Sequence, residues 1–125
     1  YSTTAGEALN PEVYEQWKRA TGLSLMEGFG QTETTLAIYN PIGTVPKPGS
    51  MGVPNPLLQV DIVLPDGTPA PIGETGEIVI HTEQGVPCGL FKGYYQNEKL
   101  TREAWHDGLY HTGDTAWRDE DGYFW

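Results

Sequence analysis

Three Asp-Gly dipeptides divide the second half of the chain, and their spacing constrains the fold more than any other feature. They lie at 66–67, 107–108 and 121–122. Asp-Gly favours the two-residue turns of β-hairpins, because both central residues of such a turn need positive φ. Short apolar or β-prone segments flank these turns, at 59–64, 76–81, 109–110 and 115–118. The pattern predicts antiparallel strands that form a small barrel or curled sheet.

The first half of the chain contains one clear helix signature. Asn10 is a good N-cap, Pro11 suits the first helical position, and Gly22 can end the helix in a left-handed conformation. Val13 and Trp17 are spaced to form an apolar stripe on one helix face. We therefore predict a helix from Asn10 to Gly22.

The segments after this helix predict strands and a long irregular stretch. Residues 23–26 predict a short buried strand that ends at a Gly-containing loop, 27–33, as at the edge of an open α/β sheet. Residues 36–39 predict another strand. Residues 40–56 contain five prolines, which excludes a helix and favours a linker or a long ordered loop. A second short helix is expected over 99–105.

Charge and cysteine content exclude several classes of protein. Seven Lys and Arg against seventeen Asp and Glu give a formal net charge of −10, and no basic cluster offsets it. This argues against general binding to nucleic acids or anionic membranes, although backbone amides and a metal ion can still hold a nucleotide. No apolar stretch is long enough to span a membrane. Cys88 is the only cysteine, and with no visible targeting segment it leads us to expect a cytoplasmic location.

The stretch Glu-Gly-Phe-Gly-Gln-Thr-Glu at 27–33 is the strongest candidate for a binding site. Its two glycines let a ligand approach the backbone closely, and Phe29 offers a flat face to a ring. Thr32 offers a hydroxyl, and Glu33 offers a carboxylate that Mg²⁺ accepts beside phosphate oxygens. From the residues alone, an ordinary Gly-rich turn with a solvated Glu explains the stretch equally well.

Two further segments are weaker candidates. In Tyr-His-Thr-Gly-Asp at 110–114, the carboxylate of Asp114 can accept hydrogen bonds from a ribose diol, although taken alone an ordinary turn explains it better. In the segment 4–9, Gly6 can allow a backbone edge to meet a base, or the segment simply leads to the helix cap. The three histidines lack metal-ligand spacing, and one cysteine does not complete a zinc site.

These elements together predict an α+β chain with two parts. We expect residues 1–50 to form the end of an α/β subdomain with the candidate nucleotide-binding loop and a Pro/Gly-rich linker, and residues 51–125 to form an antiparallel β-barrel-like subdomain. The chain starts without Met and ends in three aromatic residues directly after a turn. Because natural termini are usually polar, we expect a piece of a longer protein.

Taken in order, the motifs at 6–9, 27–33 and 110–114 resemble those of the adenylate-forming, or AMP-binding, superfamily of acyl-CoA synthetases, adenylation domains and luciferases. The segments 89–95 and 101–105 are similar to the acyl-CoA synthetase branch, nearest to medium-chain acyl-CoA synthetases and their acetyl-CoA synthetase relatives. The resemblance covers essentially the whole chain, and it identifies these residues as a fragment of the large N-terminal domain.

The resemblance implies a two-step ligase reaction. A small carboxylic acid attacks the α-phosphate of Mg·ATP to give an acyl-adenylate and pyrophosphate, and the thiol of CoA then displaces AMP. The implied partners are therefore ATP or AMP, Mg²⁺, CoA, the acid and the rest of the parent chain. Because the family's phosphate loop and its Lys-bearing domain have no counterpart here, the fragment alone is expected to be inactive.

The resemblance also assigns roles by position. Phe29 would stack on adenine where the family usually has Tyr, Thr32 would contact phosphate, Glu33 would hold Mg²⁺, and Asp114 would bind the ribose hydroxyls. Thr32 and Glu33 are the expected catalytic residues. The expected cofactor-binding residues are Gly6, Glu7, Ala8, Glu27, Gly28, Phe29, Gly30, Gln31, Thr32 and Asp114.

Three other readings stay open at this point. Within the superfamily, the chain could come from an adenylation domain that loads a carrier protein, or from a luciferase-like enzyme. Outside it, the chain could be a stand-alone acidic β module that binds a protein partner. The shared motifs do not separate the first two readings, and only residues 89–95 favour CoA.

Overall fold

The computed structural model describes residues 1–125 and contains two four-stranded sheets and two helices. The elements in chain order are β1 (Ser2–Thr4), α1 (Pro11–Thr21), β2 (Leu25–Gln31), β3 (Thr35–Tyr39), β4 (Val53–Pro54), β5 (Val60–Val63), β6 (Gly76–His81), α2 (Glu98–Ala104), β7 (Trp105–His106) and β8 (Leu109–Ala116). Neither helix has the length and apolar content needed to cross a membrane.

The first sheet contains the predicted α/β element. Its strand order is β1-β2-β3-β4, with β1 and β2 parallel and α1 as the connection between them. The helix ends where its caps predict. The Asn10 side chain accepts a hydrogen bond from the N–H of Glu12, and Gly22, at φ 74°, donates its N–H to Lys18 O. Both predicted helices are confirmed, since α2 likewise follows the N-cap Asn97.

The predicted apolar stripe of α1 is not the face that packs on the sheet. Val13 is 49% exposed and Trp17 is 38% exposed, whereas Tyr14 is 3% exposed. Tyr14 points at the chain leading into β2, where its hydroxyl donates to Ser24 Oγ at 3.3 Å. Val13 and Trp17 therefore share one face of α1 as their spacing predicts, but the face that packs on the sheet is the one that carries Tyr14.

The predicted loop 27–33 is wrong over most of its length. Strand β2 continues through Gln31, and only residues 32–34 form a turn before β3 returns antiparallel to it. The glycines permit this close pairing, with a register shift between Phe29 and Gly30. A Cβ on Gly30 would overlap the carbonyl oxygen of Thr35, so strand β3 approaches as closely as it does only because residue 30 has no side chain.

The second sheet is antiparallel throughout, in the order β5-β6-β8-β7. The Asp107-Gly108 turn joins β7 to β8, and both residues have positive φ, 53° and 75°, as predicted for a two-residue hairpin. The two short strands predicted at 109–110 and 115–118 are instead one strand, β8. It stays paired by bulging, so that residues 112–114 lie opposite Ile78 alone.

The fold class is confirmed as a short α/β element followed by antiparallel strands, but the second sheet is open and does not close into a barrel. The two sheets share their apolar cores. One core joins Ile38 of the first sheet to Ile62 and Ile78 of the second, together with Phe124. The proline-rich segment 40–56 is an ordered loop between the sheets that includes β4. The division of the chain at residue 50 stays a prediction.

Asp119 connects the end of the chain to the loop between the sheets. Its carboxylate accepts hydrogen bonds from Lys47 Nζ at 2.6 Å, from the N–H of Tyr123 at 2.9 Å and from the Trp125 indole at 3.1 Å. Burial alone raises the pKa of Asp119, but these hydrogen bonds outweigh it and hold the pKa at about 2.

We expect Asp119 to make stability sensitive to acid. Because the pKa of Asp119 is lowered in the folded chain, its contribution to the free energy of unfolding is present above about pH 4 and is lost as the pH falls towards about 2. Asp119→Asn should lower stability at neutral pH and weaken the loss between these two pH values. Urea unfolding followed by tryptophan fluorescence measures both effects, with the exposed neighbour Glu120→Gln as control. An unchanged acid dependence in Asp119→Asn would contradict this assignment.

The close approach at Gly30 gives a second prediction. Gly30→Ala should lower the free energy of unfolding by about 3 kcal/mol, because the new methyl group meets backbone. Gly28→Ala is the matched variant and should cost about 1 kcal/mol, since the nearest atom there belongs to the flexible Leu36 side chain. Equal costs measured by urea unfolding would show that the pairing of β2 and β3 is not limited at Gly30.

Candidate functional site

A single cleft of about 400 Å³ brings together nearly all of the predicted cofactor-binding residues. Its lining consists of Gly6, Glu7, Ala8, Glu27, Gly28, Phe29, Gly30, Gln31, Met51 and Asp114. Nine of the ten predicted residues are in this set, Thr32 is not, and Met51 is the one addition. Strand β2 forms one wall, the loop between β1 and α1 forms a second, and Asp114 projects from the bulge of β8.

Glu27 fastens the loop that leads to α1 against β2. Its side chain is 5% exposed, and Oε1 accepts the N–H of Leu9 at 2.9 Å. Burial raises the pKa of Glu27, and the hydrogen bond from Leu9 opposes part of that rise. The second oxygen, Oε2, is buried without a hydrogen-bond partner. This contact fixes the separation of the two walls formed by residues 6–8 and β2.

The side-chain amide of Gln31 links β2 to the second sheet. Nε2 donates to Asp114 Oδ2 at 2.5 Å and to Thr112 O at 2.8 Å, while Oε1 accepts the hydroxyl of Tyr110 at 2.8 Å. Because an amide group has two donors and one acceptor oxygen, these contacts leave little for a ligand. Gln31 therefore orients Asp114 at the edge of the cleft.

Tyr110 stabilises this link through the hydrogen bond from its hydroxyl to Gln31. Its side chain is 1% exposed. Burial raises the pKa of Tyr110 far above its ordinary value, and the nearby negative charges of Glu33 and Asp114 add to the rise. The hydroxyl therefore stays protonated and remains a donor to Gln31.

Glu33 lies in the turn after β2 and outside the cleft lining. Its Oε1 accepts the hydroxyl of Tyr94 at 3.0 Å, and its backbone oxygen accepts the N–H of Phe91 at 2.7 Å. Burial raises the pKa of Tyr94, and its hydrogen bond to the Glu33 carboxylate raises it further. Thr32 beside it is exposed.

The carboxylate of Glu33 has one oxygen that makes no hydrogen bond to Tyr94. Tyr94 donates its hydrogen bond to Oε1 of this carboxylate. No group of three or more His, Cys, Asp or Glu side chains lies close enough together to hold a metal ion. Mg²⁺ commonly takes one or two protein carboxylates and fills its remaining positions with water and phosphate oxygens. Glu33 therefore fits a metal that arrives with a phosphate ligand.

Sequence reasoning missed the residues that support the site from the second sheet. Tyr94 and Tyr110 lie 61 and 79 positions from the residues they contact, so no local pattern reports the pairing. The one available signal was their occurrence in the motifs at 89–95 and 110–114. Phe91, Tyr94, Trp105 and Tyr110 pack as one aromatic cluster behind Glu33 and Gln31.

The Tyr110 hydroxyl gives a prediction about this support. Tyr110→Phe leaves Gln31 Oε1 without its donor in a partly buried position, so the free energy of unfolding should fall by about 1 kcal/mol. The control is Tyr95→Phe. Because the side chain of Tyr95 is almost fully exposed, this substitution should change the free energy of unfolding by no more than about 0.5 kcal/mol. If urea unfolding gives the same stability for both variants, the bond to Gln31 contributes nothing.

Comparison with known proteins places this cleft in context. The profile of a family described as AMP-binding enzyme matches residues 1–95. The chain is 46% identical over 125 residues to the mitochondrial acyl-coenzyme A synthetase ACSM3 of Rattus norvegicus, covering 100% of this chain and 22% of the relative. It is 43% identical over 122 residues to the mitochondrial acyl-coenzyme A synthetase ACSM5 of Homo sapiens, covering 98% and 21%.

Solved structures give the same result. The anthranilate CoA ligase AuaEII in complex with anthranoyl-AMP has a TM-score of 0.87 and 31% identity, covering 98% of this chain and 23% of that chain. ATP-bound MatB from Rhodopseudomonas palustris has a TM-score of 0.87 and 28% identity, covering 98% and 24%. The chain thus spans less than a quarter of the length of each of these proteins.

The comparisons contradict the expected location. The rat and human relatives are mitochondrial, so the prediction of a cytoplasmic protein is wrong. The unpaired Cys88 indicates only the absence of an internal disulfide, and that observation does not distinguish the cytosol from other compartments where thiols stay reduced.

Proposed function

Because the chain belongs to the AMP-binding enzyme family, we propose that its cleft binds the adenosine part of ATP within a longer acyl-CoA synthetase. The observation that carries this proposal is the convergence of three separate segments, residues 6–8, 27–31 and Asp114, on one cleft. No short-range pattern requires these segments to meet, and together they offer a backbone edge, an aromatic ring and a carboxylate.

The charges of the cleft favour a base and a sugar. Glu7, Glu27 and Asp114 all line it, and no basic side chain does. Carboxylates accept hydrogen bonds from ribose hydroxyls but repel phosphate oxygens. In our proposal the adenine therefore lies between residues 6–8 and Phe29, the ribose hydroxyls meet Asp114, and the phosphates point towards Thr32 and Glu33.

Thr32 and Glu33 carry the proposed catalytic roles. The exposed hydroxyl of Thr32 would donate to a phosphate oxygen, and the Glu33 carboxylate, braced by Tyr94, would hold Mg²⁺. Bound Mg²⁺ supplies positive charge that offsets the charge of the triphosphate. In the proposed reaction, the carboxylate of a small acid attacks the α-phosphorus and pyrophosphate leaves. The thiol of CoA then attacks the acyl carbonyl and AMP leaves.

CoA is the proposed acyl acceptor rather than a carrier protein. The relatives quoted above are acyl-CoA synthetases, and the structure with 31% identity is a CoA ligase. The length relation also argues against a stand-alone binding module, since the chain matches only 22% of the rat relative. The 125 residues by themselves are proposed to be inactive, because the phosphate-binding and Lys-bearing parts implied by the family resemblance have no counterpart among them.

The test is ATP–pyrophosphate exchange by the full-length protein with a panel of carboxylic acids, followed by thioester formation with CoA. We expect exchange that depends on the acid and thioester only when CoA is present. Asp114→Ala should lower kcat/KM for ATP at least tenfold, about 1.4 kcal/mol in transition-state binding. It should also remove most of the preference for ATP over 2′-deoxy-ATP, because the lost contact is to the ribose diol.

Glu120→Ala, which removes an exposed carboxylate elsewhere, is the matched control and should leave both values unchanged. The proposal is overturned if the full-length protein shows no acid-dependent exchange, or if the isolated 125 residues form acyl-CoA at a comparable rate. The proposed role of Asp114 in binding ribose is overturned if Asp114→Ala discriminates between ATP and 2′-deoxy-ATP as well as the wild type does.

A further inference from the structure

The bulge that carries Asp114 interrupts the regular pairing of the second sheet. Residues 112–114 of β8 lie opposite the single residue Ile78 of β6, and Gly113 has φ 75°. Part of the bulge is held by Thr112, whose hydroxyl donates to Ile78 O at 2.7 Å and accepts the N–H of Asp114 at 3.1 Å. A bulged segment with a glycine at its centre needs other contacts to keep one conformation.

Glu77 provides such contacts from the neighbouring strand. Its Oε1 accepts the N–H of Gly113 at 3.0 Å, and its Oε2 lies 2.9 Å from His111 Nδ1. One carboxylate therefore holds the backbone within the bulge and the side chain at its start. Both side chains are partly buried, His111 at 17% and Glu77 at 31% exposed, which reduces competition from water in part.

The histidine is itself held in one orientation. An ionised carboxylate only accepts, so Nδ1 of His111 carries the proton in this contact. The ring also stacks on His106 with centroids 3.8 Å apart and an interplanar angle of 13°. Its Nε2 is buried without a hydrogen-bond partner. The imidazole is therefore held between the Glu77 carboxylate and the His106 ring.

Glu77 does not line the cleft, but it contacts the backbone directly before Asp114, which does. Asp114 is held from the front by Gln31, and the backbone immediately before it is held from behind by Glu77. Loss of the rear contact would free Gly113, which has no packing contacts at its Cβ position to restrain it. Only Thr112 and Gln31 would then hold Asp114.

We propose that Glu77 is a positioning residue that sets Asp114 for recognition of the ribose diol. This inference rests on the proposed role of Asp114. It predicts that the effect of Glu77 appears as a change in nucleotide discrimination, which a general loss of stability would not produce.

The experiment measures kcat/KM of the full-length protein for ATP and for 2′-deoxy-ATP in pyrophosphate exchange. Glu77→Ala should reduce the preference for ATP about three- to tenfold, the range expected when a charge-assisted hydrogen bond is lost. Glu77→Gln should retain most of the preference, because its amide oxygen still accepts the N–H of Gly113. Glu77→Ala combined with Asp114→Ala should show the same ratio as Asp114→Ala alone.

The outcomes separate the two claims. If Asp114→Ala removes the preference but Glu77→Ala lowers both rates equally, the inference about Glu77 is wrong and the role of Asp114 stands. If Asp114→Ala leaves the preference intact, both claims are wrong. Should Glu77→Ala fail to fold, Glu77→Asp decides the matter: its shorter side chain cannot reach both partners, so a preference equal to that of the wild type overturns the inference.

Discussion

The cleft depends on one contact between the two sheets, the side chain of Gln31. Its amide reaches from the end of β2 to the bulge of β8 and meets three groups there, two on the bulge and one on Tyr110. Without it, the two sheets would still share an apolar core through Ile38, Ile62 and Ile78. Apolar packing is not directional, however, and cannot set the orientation of a single carboxylate. The polar bridge does that.

A second constraint is steric. The wall formed by β2 is thin because Gly28 and Gly30 have no side chains, and β3 can then lie close behind it. The same absence leaves backbone exposed to the cleft on either side of Phe29. One choice of residue therefore permits the close pairing of the strands and leaves backbone exposed in the cleft. This explains why a stretch with the composition of a loop lies in a strand.

Features determined by neighbours in sequence could be predicted, and features determined by distant ones could not. The caps Asn10 and Gly22 and the Asp107-Gly108 turn fix their local backbone, so their elements have the expected bounds. The spacing of Val13 and Trp17 identified an apolar face of α1 but not that the packed face is the one with Tyr14, because periodicity does not show what covers a face. The strand at 27–31 failed because the reason for its glycines is the approach of another strand.

The same distinction applies to the site. The motifs located most of the residues that line the cleft, because each motif is a short run of residues that are neighbours in sequence. The residues that hold them, Tyr94, Tyr110 and Glu77, act across separations of 34 to 79 positions and became visible only through contacts.

The charge of the chain sets a limit on what these residues do by themselves. The net charge is −10, and none of the seven basic residues lines the cleft. Several are already paired with carboxylates: Lys47 with Asp119 and Asp121, Arg102 with Glu98, and Arg118 with Asp61. Binding a triphosphate and stabilising charge that develops at its α-phosphorus requires cations or preorganised donors close to the phosphates. In the proposed function, the described residues supply a base pocket, a ribose ligand and one carboxylate for a metal. The same proposal requires positive charge for the phosphates that the lining of the cleft does not supply. This is the physical reason for proposing recognition without catalysis by these 125 residues alone.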